Sequence, residues 1–459
     1  MLNLRLTDIA RWTSGRLLGA DCRIDSVSTD SRTLAAGALF VALPGEHHDA
    51  HDFVAAASQN GAAAAMVSRE IEVDLPQIIV PDPLLALGEL ARHVRSRSTA
   101  CVVGITGSNG KTTVKTLLAS ILARRGPTHV NAGNFNNEIG LPLTLLAMPV
   151  DTEFAVLEMG AGKPGDIAYL AAIAKPTVAV INNVAAAHLE RLGDLEGVAQ
   201  TKGALISALP DDGVAVINLD DAFAETFIEL AGARRIVGFG LDAAADISAH
   251  FVTGAPAGRF TLITPGGETA IELALPGRHN VMNALAACAA AFAVDARIPL
   301  DVVRDALGNA RLLHGRLTRH AHASGAVIFD DSYNANPASF AAAIALLAAE
   351  PGETVLVMGD MAELGRDSEQ LHFDTGALAK WSGIARLHAV GDLSRAAVAA
   401  FGDNARHHPD QAALIEALRA DLRQGVTLLI KGSRSSAMDR VVAALIDGDQ
   451  SERGGRHAA

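Results

Sequence analysis

The sequence predicts an α/β protein of three units, two of them built on mainly parallel sheets. Three observations carry that reading. Hydrophobic residues make up 49% of the 459 and aromatics only 4%, with 42 glycines and abundant alanine. That balance suits helices packed closely on strands better than it suits a β-sandwich. Short apolar runs alternate with segments of helical periodicity through most of the chain. Finally, the run Val102-Val103-Gly104-Ile105-Thr106 empties into a glycine turn, and Val114, Leu117, Leu118, Ile121 and Leu122 follow at helical spacing. The length itself exceeds one ordinary core.

Taken in order, residues 1–82 read as a small α/β unit of short strands and turns, with a helix over 53–60 and a strand at 64–67. Pro81-Asp82-Pro83 closes it. Residues 83–314 form the central unit, a P-loop, ATPase-like parallel sheet. A connecting helix over 84–97 leads to the strand before the glycine turn, and further strands are expected at 154–158, 178–181, 214–217 and 236–239. A hairpin excursion over 251–275, with Gly266-Gly267, precedes an alanine-rich helix over 281–294. Such alternation implies a sheet covered on both faces. Residues 315–450 repeat the pattern, with strands at 327–329, 354–358, 387–390 and 426–430, and resemble a dinucleotide-binding (Rossmann-like) fold. They lack GxGxxG, so that likeness carries no NAD. The polar, glycine-containing end from Asp447, including 451–459, reads as a disordered tail.

A net charge of −13 argues against a nucleic-acid binder and against an anionic membrane surface. Cys22, Cys101 and Cys288 are odd in number, far apart and in apolar surroundings, which favours reduced structural thiols and a cytoplasmic location. The chain opens into an amphipathic segment with Asp8 and Arg11, without the apolar core of a signal peptide, and the alanine-rich helix is too short to span a bilayer. A soluble protein with no membrane insertion is expected.

The turn carries the chemistry. Gly107, Ser108, Asn109, Gly110, Lys111, Thr112 and Thr113 form a phosphate cradle: the glycines let backbone N–H groups and the helix N-terminus face phosphate oxygens, the lysine neutralises charge and a hydroxyl reaches magnesium. The strict GxxxxGK[ST] pattern wants glycine where Ile105 stands. Glu158 ends the strand at 154–158, on the sheet edge where the cradle lies, and is a candidate magnesium ligand or a capping acid. His188, after the next strand, is a second candidate ligand or a hydrogen-bonded structural residue. Lys202, in a helical segment, reads by periodicity as a solvated surface lysine. In the third unit Arg316 with the loop Asp330-Asp331-Ser332-Tyr333-Asn334-Ala335-Asn336-Pro337, which follows the first strand, reads as a second phosphate-handling site, and the loop 359–365 with Asp360 and Lys431-Gly432-Ser433-Arg434 each close a strand, which gathers polar loops at one sheet edge. The paired aspartates read equally as a capped turn. His47-His48-Asp49-Ala50-His51-Asp52 looks superficially like a metal site, but adjacent imidazoles rarely serve one metal and nothing distant completes it.

These motifs, joined by Ser28-Thr29-Asp30-Ser31-Arg32, Asn134-Phe135-Asn136-Asn137-Glu138-Ile139-Gly140, Glu158-Met159-Gly160, Ala187-His188-Leu189-Glu190 and His279-Asn280-Val281-Met282-Asn283-Ala284, resemble the Mur ligase family over nearly the whole chain. Those are ATP-dependent amide-forming enzymes of peptidoglycan precursor synthesis. The resemblance implies ATP phosphates held by the cradle, with Lys111 on the β- and γ-phosphates and Thr112 on Mg2+. It implies Glu158 and His188 as further metal ligands and Lys202 carbamylated, which turns a cation into an anionic ligand and reverses the surface reading. It puts Asn283 at adenine, Arg316 at the phosphates and Asp331 at the ribose. The UDP-sugar side falls to Ser31, Arg32, Asn134 and Asn137, and the incoming amine to Asn336, Asp360, Lys431, Ser433 and Arg434. Lys111, Glu158, His188 and Lys202 would be the catalytic set. The implied substrates are a UDP-N-acetylmuramoyl-tripeptide and D-alanyl-D-alanine, joined through an acyl phosphate by a monomer whose third unit closes over the second. The third-residue-adding ligase of the family usually carries Asp-Asn-Pro-Arg, which is absent here. A folate-polyglutamate ligase is argued against by Asp30-Ser31-Arg32. A non-catalytic nucleotide-binding regulator is the reading from another class, and retention of Lys111, Thr112, Glu158, His188 and Lys202 together argues against it. The run Ala161-Gly162-Lys163-Pro164 is a local departure from the family pattern.

Overall fold

The computed structural model describes residues 3–45, 48–251, 258–310 and 315–446. Glu46, His47 and the expected tail over 447–459 lie outside them. The architecture is α/β, in three units. In the first, a five-stranded sheet runs in the order Arg16–Leu18, Gln77–Ile79, Ala64–Val67, Ala38–Val41, Ser26–Ser28, parallel except at Arg16–Leu18. The two innermost strands are wholly buried, as expected of apolar runs covered on both faces. In the neighbouring loop both ring nitrogens of His51 are taken, Nδ1 by Asp49 at 2.5 Å and Nε2 by the Ser68 backbone N–H at 2.8 Å.

The central sheet is six-stranded and wholly parallel, in the order Arg235–Phe239, Val214–Asn218, Val178–Ile181, Cys101–Thr106, Phe154–Glu158, Thr128–Val130. The chain leaves the Cys101–Thr106 strand to one side and later returns on its other side. The carboxyl ends of Cys101–Thr106, Phe154–Glu158 and Val178–Ile181 therefore open on one crevice, where open α/β sheets bind ligands. Helix Lys111–Leu122 and the alanine-rich helix Arg278–Val294 cover one face, with Val114, Leu117, Leu118 and Val281 fully buried between them and the sheet. On the other face Pro83–Arg95, Asp166–Ala174 and Leu195–Ser207 share a core that runs on into the first unit through Leu6, Ile9 and Ile78. The hairpin excursion is a three-stranded antiparallel sheet, Ser248–Phe251, Gly258–Thr264 and Gly267–Leu273.

The third unit carries six strands in the order Thr318–Ala321, Val327–Asp331, Val426–Lys431, Glu353–Gly359, Arg386–Val390, Ala405–His408, parallel except at the first. Asp331 is in register with Lys431, and Lys431 with Met358, so the three polar loops do emerge side by side.

Candidate functional site

Gly110 ends the glycine turn with φ +77°, a left-handed conformation that favours glycine, and leads directly into helix Lys111–Leu122. A Cβ there would lie 2.2 Å from Asn283 Oδ1 and 2.6 Å from Asn182 Nδ2. Asn182 donates to the Asn109 carbonyl at 2.9 Å and to Asn283 at 2.8 Å, so an asparagine layer holds the turn from beneath. Asn183 receives the Asn109 N–H at 2.8 Å, and Ser108 bonds the Ala185 carbonyl at 3.0 Å. Asn283 is buried and bonded to Asn182 and Asn280, a supporting position under the cradle that the expected adenine contact did not anticipate. Lys111 folds back on the Gly107 carbonyl at 2.7 Å. Burial lowers its pKa, opposed by the Glu158 carboxylate.

Glu158 is the centre of the polar network. It is 3% exposed, and its two oxygens are held by Thr112 Oγ1 and Asn136 Nδ2, each at 2.7 Å, with Lys115 Nζ at 3.4 Å. Burial pushes its carboxyl up, but Lys111, Lys115 and the two hydrogen bonds outweigh it, and the net shift is downward. Glu158 thus stays ionised. Its backbone is clamped as well: Asn131 Oδ1 accepts from Glu158 N–H at 2.7 Å and Asn131 Nδ2 donates to its carbonyl at 3.2 Å.

Lys202 does not sit on the surface: it is 3% exposed, on the inner face of Leu195–Ser207. The surface reading drawn from periodicity alone is corrected, because this helix packs against both the sheet and helix Ala224–Ala231 and leaves that face no solvent. Burial lowers the Lys202 pKa to about 7, with Lys111 adding to the effect and Asp221 opposing it. Asp221 is fixed by N–H groups of Val184 at 2.7 Å and Phe223 at 3.0 Å. His188 begins helix Leu189–Leu192 in a left-handed conformation, φ +57°, and its Nδ1 lies 2.5 Å from Glu363 Oε2 of the third unit. Burial lowers its pKa, against the pull of Glu363.

The third unit meets this crevice at two further points. Arg316 Nη2 donates to Thr112 Oγ1 at 2.9 Å, with its guanidinium 4.2 Å from the Tyr333 ring centre. Asn336 Nδ2 donates to Asn109 Oδ1 at 2.8 Å, while its own Oδ1 caps helix Pro337–Ala348 by accepting from Ser339 N–H at 2.9 Å. The capped-turn alternative thus holds at Asn336, in the same side chain that reaches the glycine turn. Lys431 Nζ bonds Asp331 at 2.6 Å and the Asn334 carbonyl at 3.0 Å, joining two residues that the sequence assigned to different ligands. Burial raises the Asp331 pKa and Lys431 opposes it. Asp360 Oδ1 accepts from Ser394 N–H at 2.8 Å at the start of helix Ser394–Phe401, and its carbonyl receives the Ser433 N–H at 2.9 Å. Arg434 is exposed, 3.7 Å from Asp439.

The remaining expected residues lie apart or at the rim. Asp30 and the exposed Arg32 form a two-point pair at 2.9 and 2.8 Å, and Ser31 accepts from Asn60 through its carbonyl. Asn134 is exposed, and Asn137 caps helix Gly140–Leu146 through the Gly140 N–H at 2.9 Å. Sequence reasoning missed Lys115, Asn131, Asn136 and Glu363. Lys115 had a signal, since it falls four residues after Lys111 on the same helix face. Asn136 stood in the run 134–140 and Glu363 in the loop 359–365 without being singled out, and Asn131 had no signal beyond a local abundance of asparagine.

A glycine turn opening a helix, a buried acid and a buried lysine, faced by a second sheet unit, are the arrangement of a nucleotide-binding α/β protein. Family profiles agree: Mur ligase middle domain matches residues 105–291, Mur ligase, glutamate ligase domain matches 315–434, and Mur ligase family, catalytic domain matches 23–95. The chain belongs to the Mur ligase family. It is 45% identical over 449 residues to the UDP-N-acetylmuramoyl-tripeptide--D-alanyl-D-alanine ligase of Escherichia coli (97% of this chain, 99% of that one) and 35% identical to the enzyme of the same name from Bacillus subtilis (97% and 99%). Among solved structures it is similar to MurF from Acinetobacter baumannii, with a TM-score of 0.90 at 34% identity (97% and 99% covered). MurF ligase from Thermotoga maritima in complex with ADP gives 0.81 at 27% identity (93% and 98%). Among the described residues no helix is long and apolar enough to cross a membrane.

Proposed function

We propose that the protein is a cytoplasmic, monomeric ATP-dependent ligase that joins D-alanyl-D-alanine to UDP-N-acetylmuramoyl-tripeptide in peptidoglycan precursor synthesis, releasing ADP and phosphate. The observation that carries the reading is the Arg316 hydrogen bond to Thr112: a third-unit guanidinium sits on the cradle itself, so a nucleotide held there borders the unit assigned to the amine. The names of relatives that this chain matches over nearly its full length support the substrates.

On this reading residues 107–113 hold the triphosphate, Lys111 its β- and γ-phosphates and Arg316 the γ end, while Asp331 meets the ribose and Asn283 backs the adenine side. Thr112, Glu158 and His188 would hold Mg2+, with carbamylated Lys202 completing the set. The donors suit a hard divalent ion, because a hydroxyl and an ionised carboxylate already lie 2.7 Å apart beside the cradle. When bound, the metal supplies neutralisation of charge on the phosphates. Carbamylation needs a neutral amine, and burial of Lys202 provides one near neutral pH. The tripeptide carboxylate attacks the γ-phosphorus, ADP leaves and an acyl phosphate forms. Lys111 and Arg316 offset the repulsion between the two anions. The dipeptide amine then attacks the acyl carbon, phosphate leaves and a proton is lost from nitrogen. Ser31, Arg32, Asn134 and Asn137 are assigned to the UDP-sugar side, and Asn336, Asp360, Lys431, Ser433 and Arg434 to the dipeptide side. Closure of the third unit shields the acyl phosphate from water.

Phosphate release measured with UDP-muramoyl-tripeptide and D-alanyl-D-alanine, separately and together, tests the reading. Sustained release is expected only with both. Release without the dipeptide, or equal release with a single amino acid, overturns it.

A further inference from the structure

His188 and Glu363 are both non-glycine residues in the left-handed region, at φ +57° and +60°, on loops of different units that face each other. Such backbone is strained and persists where the surroundings over-determine it. Both loops are braced. Buried Met361 and Leu364 flank Glu363, and Met361 N–H donates to His372 Nε2 at 2.9 Å. Gly365 has φ +72°, and a Cβ on it would lie 3.3 Å from Glu190 Cα, so a bare backbone lets the loops approach. Glu190 N–H points at the Glu363 carbonyl at 3.4 Å. His188 Nδ1 is buried without an aligned hydrogen-bond partner, and Glu363 Oε2, at 2.5 Å, is the acceptor within reach.

We propose that Glu363 is a positioning residue, carried by the third unit, that fixes the ring of His188 through Nδ1 and leaves Nε2 for the catalytic crevice. The site is then complete only while the third unit lies closed. Metal-bound histidines are commonly oriented in this way by a carboxylate on the other nitrogen. The proposal rests on the reading of His188 as a metal ligand, and it adds a residue and a dependence on closure that the reading lacks.

The test combines a double-variant cycle with a spectroscopic signature in the full chain. Glu363→Gln is expected to lower kcat about ten- to hundredfold with the KM for ATP changed less than threefold. In a His188→Ala background the same change should cost less than twofold more, because the effect passes through His188. Ring 15N shifts of His188, assigned by its loss in His188→Ala, should report one tautomer, protonated on Nδ1, in the wild type kept free of divalent metal, where no metal on Nε2 fixes the proton. Glu363→Gln should give a tautomer mixture, and Glu363→Asp should restore part of the rate. Additive losses in the cycle, or an unmoved ring signature, overturn the proposal. Mn2+ affinity of the nucleotide complex separates the two claims. If His188→Ala leaves that affinity unchanged while Glu363→Gln still shifts the ring signals, the metal reading falls and the positioning stands.

Discussion

Asn136 and Lys115 meet different oxygens of Glu158, Oε1 at 2.7 Å and Oε2 at 3.4 Å. Both come from segments that are apolar or uniformly polar in sequence, and Glu158 lies 22 residues from one and 43 from the other. Strand-end position was enough to single out Glu158. Its holders depended on where a loop after strand Thr128–Val130 happens to fold, and no spacing rule reports that. The same loop offered Asn134 and Asn137 as plausibly as Asn136. A hydrogen bond to a buried charge contributes about 1.5–3 kcal/mol. Asn136→Ala should therefore lower kcat/KM roughly ten- to hundredfold, and Asn136→Asp, which sets two carboxylates together, should lower it further. Steady-state kinetics check this, and an Asn136→Asp variant as active as wild type would refute it. Gly110→Ala imposes a second kind of penalty. A left-handed alanine costs about 1–2 kcal/mol, and its Cβ would collide with Asn283. ATP affinity measured by calorimetry should fall at least tenfold while the far-UV circular dichroism spectrum stays unchanged.

Elements were legible where physics is local. The strands Phe154–Glu158 and Val178–Ile181 are continuous apolar runs because both faces are buried, and they occupy the positions expected. Edge strands Thr128–Val130, Thr318–Ala321 and Ala405–His408 escaped notice because a short, half-solvated strand has no such run. One of them has a titratable consequence. His388 on Arg386–Val390 and His408 on Ala405–His408 stack at 5.2 Å, with Nδ1 of the first 3.0 Å from Nε2 of the second. One nitrogen must donate and the other accept, so both rings cannot be protonated. Burial, with Asp421 opposing it, brings the His388 pKa down from 6.5 to about 4. Between those values the unfolded chain binds the extra proton, so stability falls as pH falls from about 6.5 to 4 and is unaffected by this group above that window. The shift corresponds to about 3 kcal/mol at most. Urea unfolding of the third unit should show a lower midpoint at pH 5 than at pH 7.5, and His388→Gln should flatten that slope. An equal slope in the variant would remove the histidine pair as its cause.

At the scale of the whole molecule three side-chain contacts join the third unit to the second, Arg316 to Thr112, Asn336 to Asn109 and His188 to Glu363, beside the backbone approach of Glu363 and Gly365 to Glu190. All three contacts are polar, and two of them involve residues that would also face bound nucleotide. Hydrogen bonds of this kind contribute about 0.5–1.5 kcal/mol each, so together they give only a few kcal/mol against the freedom lost on docking. The closed arrangement is then one populated state of a two-state equilibrium, and a ligand shifts that equilibrium by as much as it prefers the closed form. A triphosphate bridging Lys111 and Arg316 adds charge-assisted contacts available only when the units are together. Small-angle scattering should accordingly show a smaller radius of gyration with ATP analogue and UDP-muramoyl-tripeptide than without. Asn336→Ala combined with Arg316→Ala should expand the free protein and blunt the ligand-induced contraction, with the melting temperature of each unit nearly unchanged. Identical dimensions in all four conditions would mean that the interface is rigid, and that water is kept from the acyl phosphate by a site already shut before the substrates arrive.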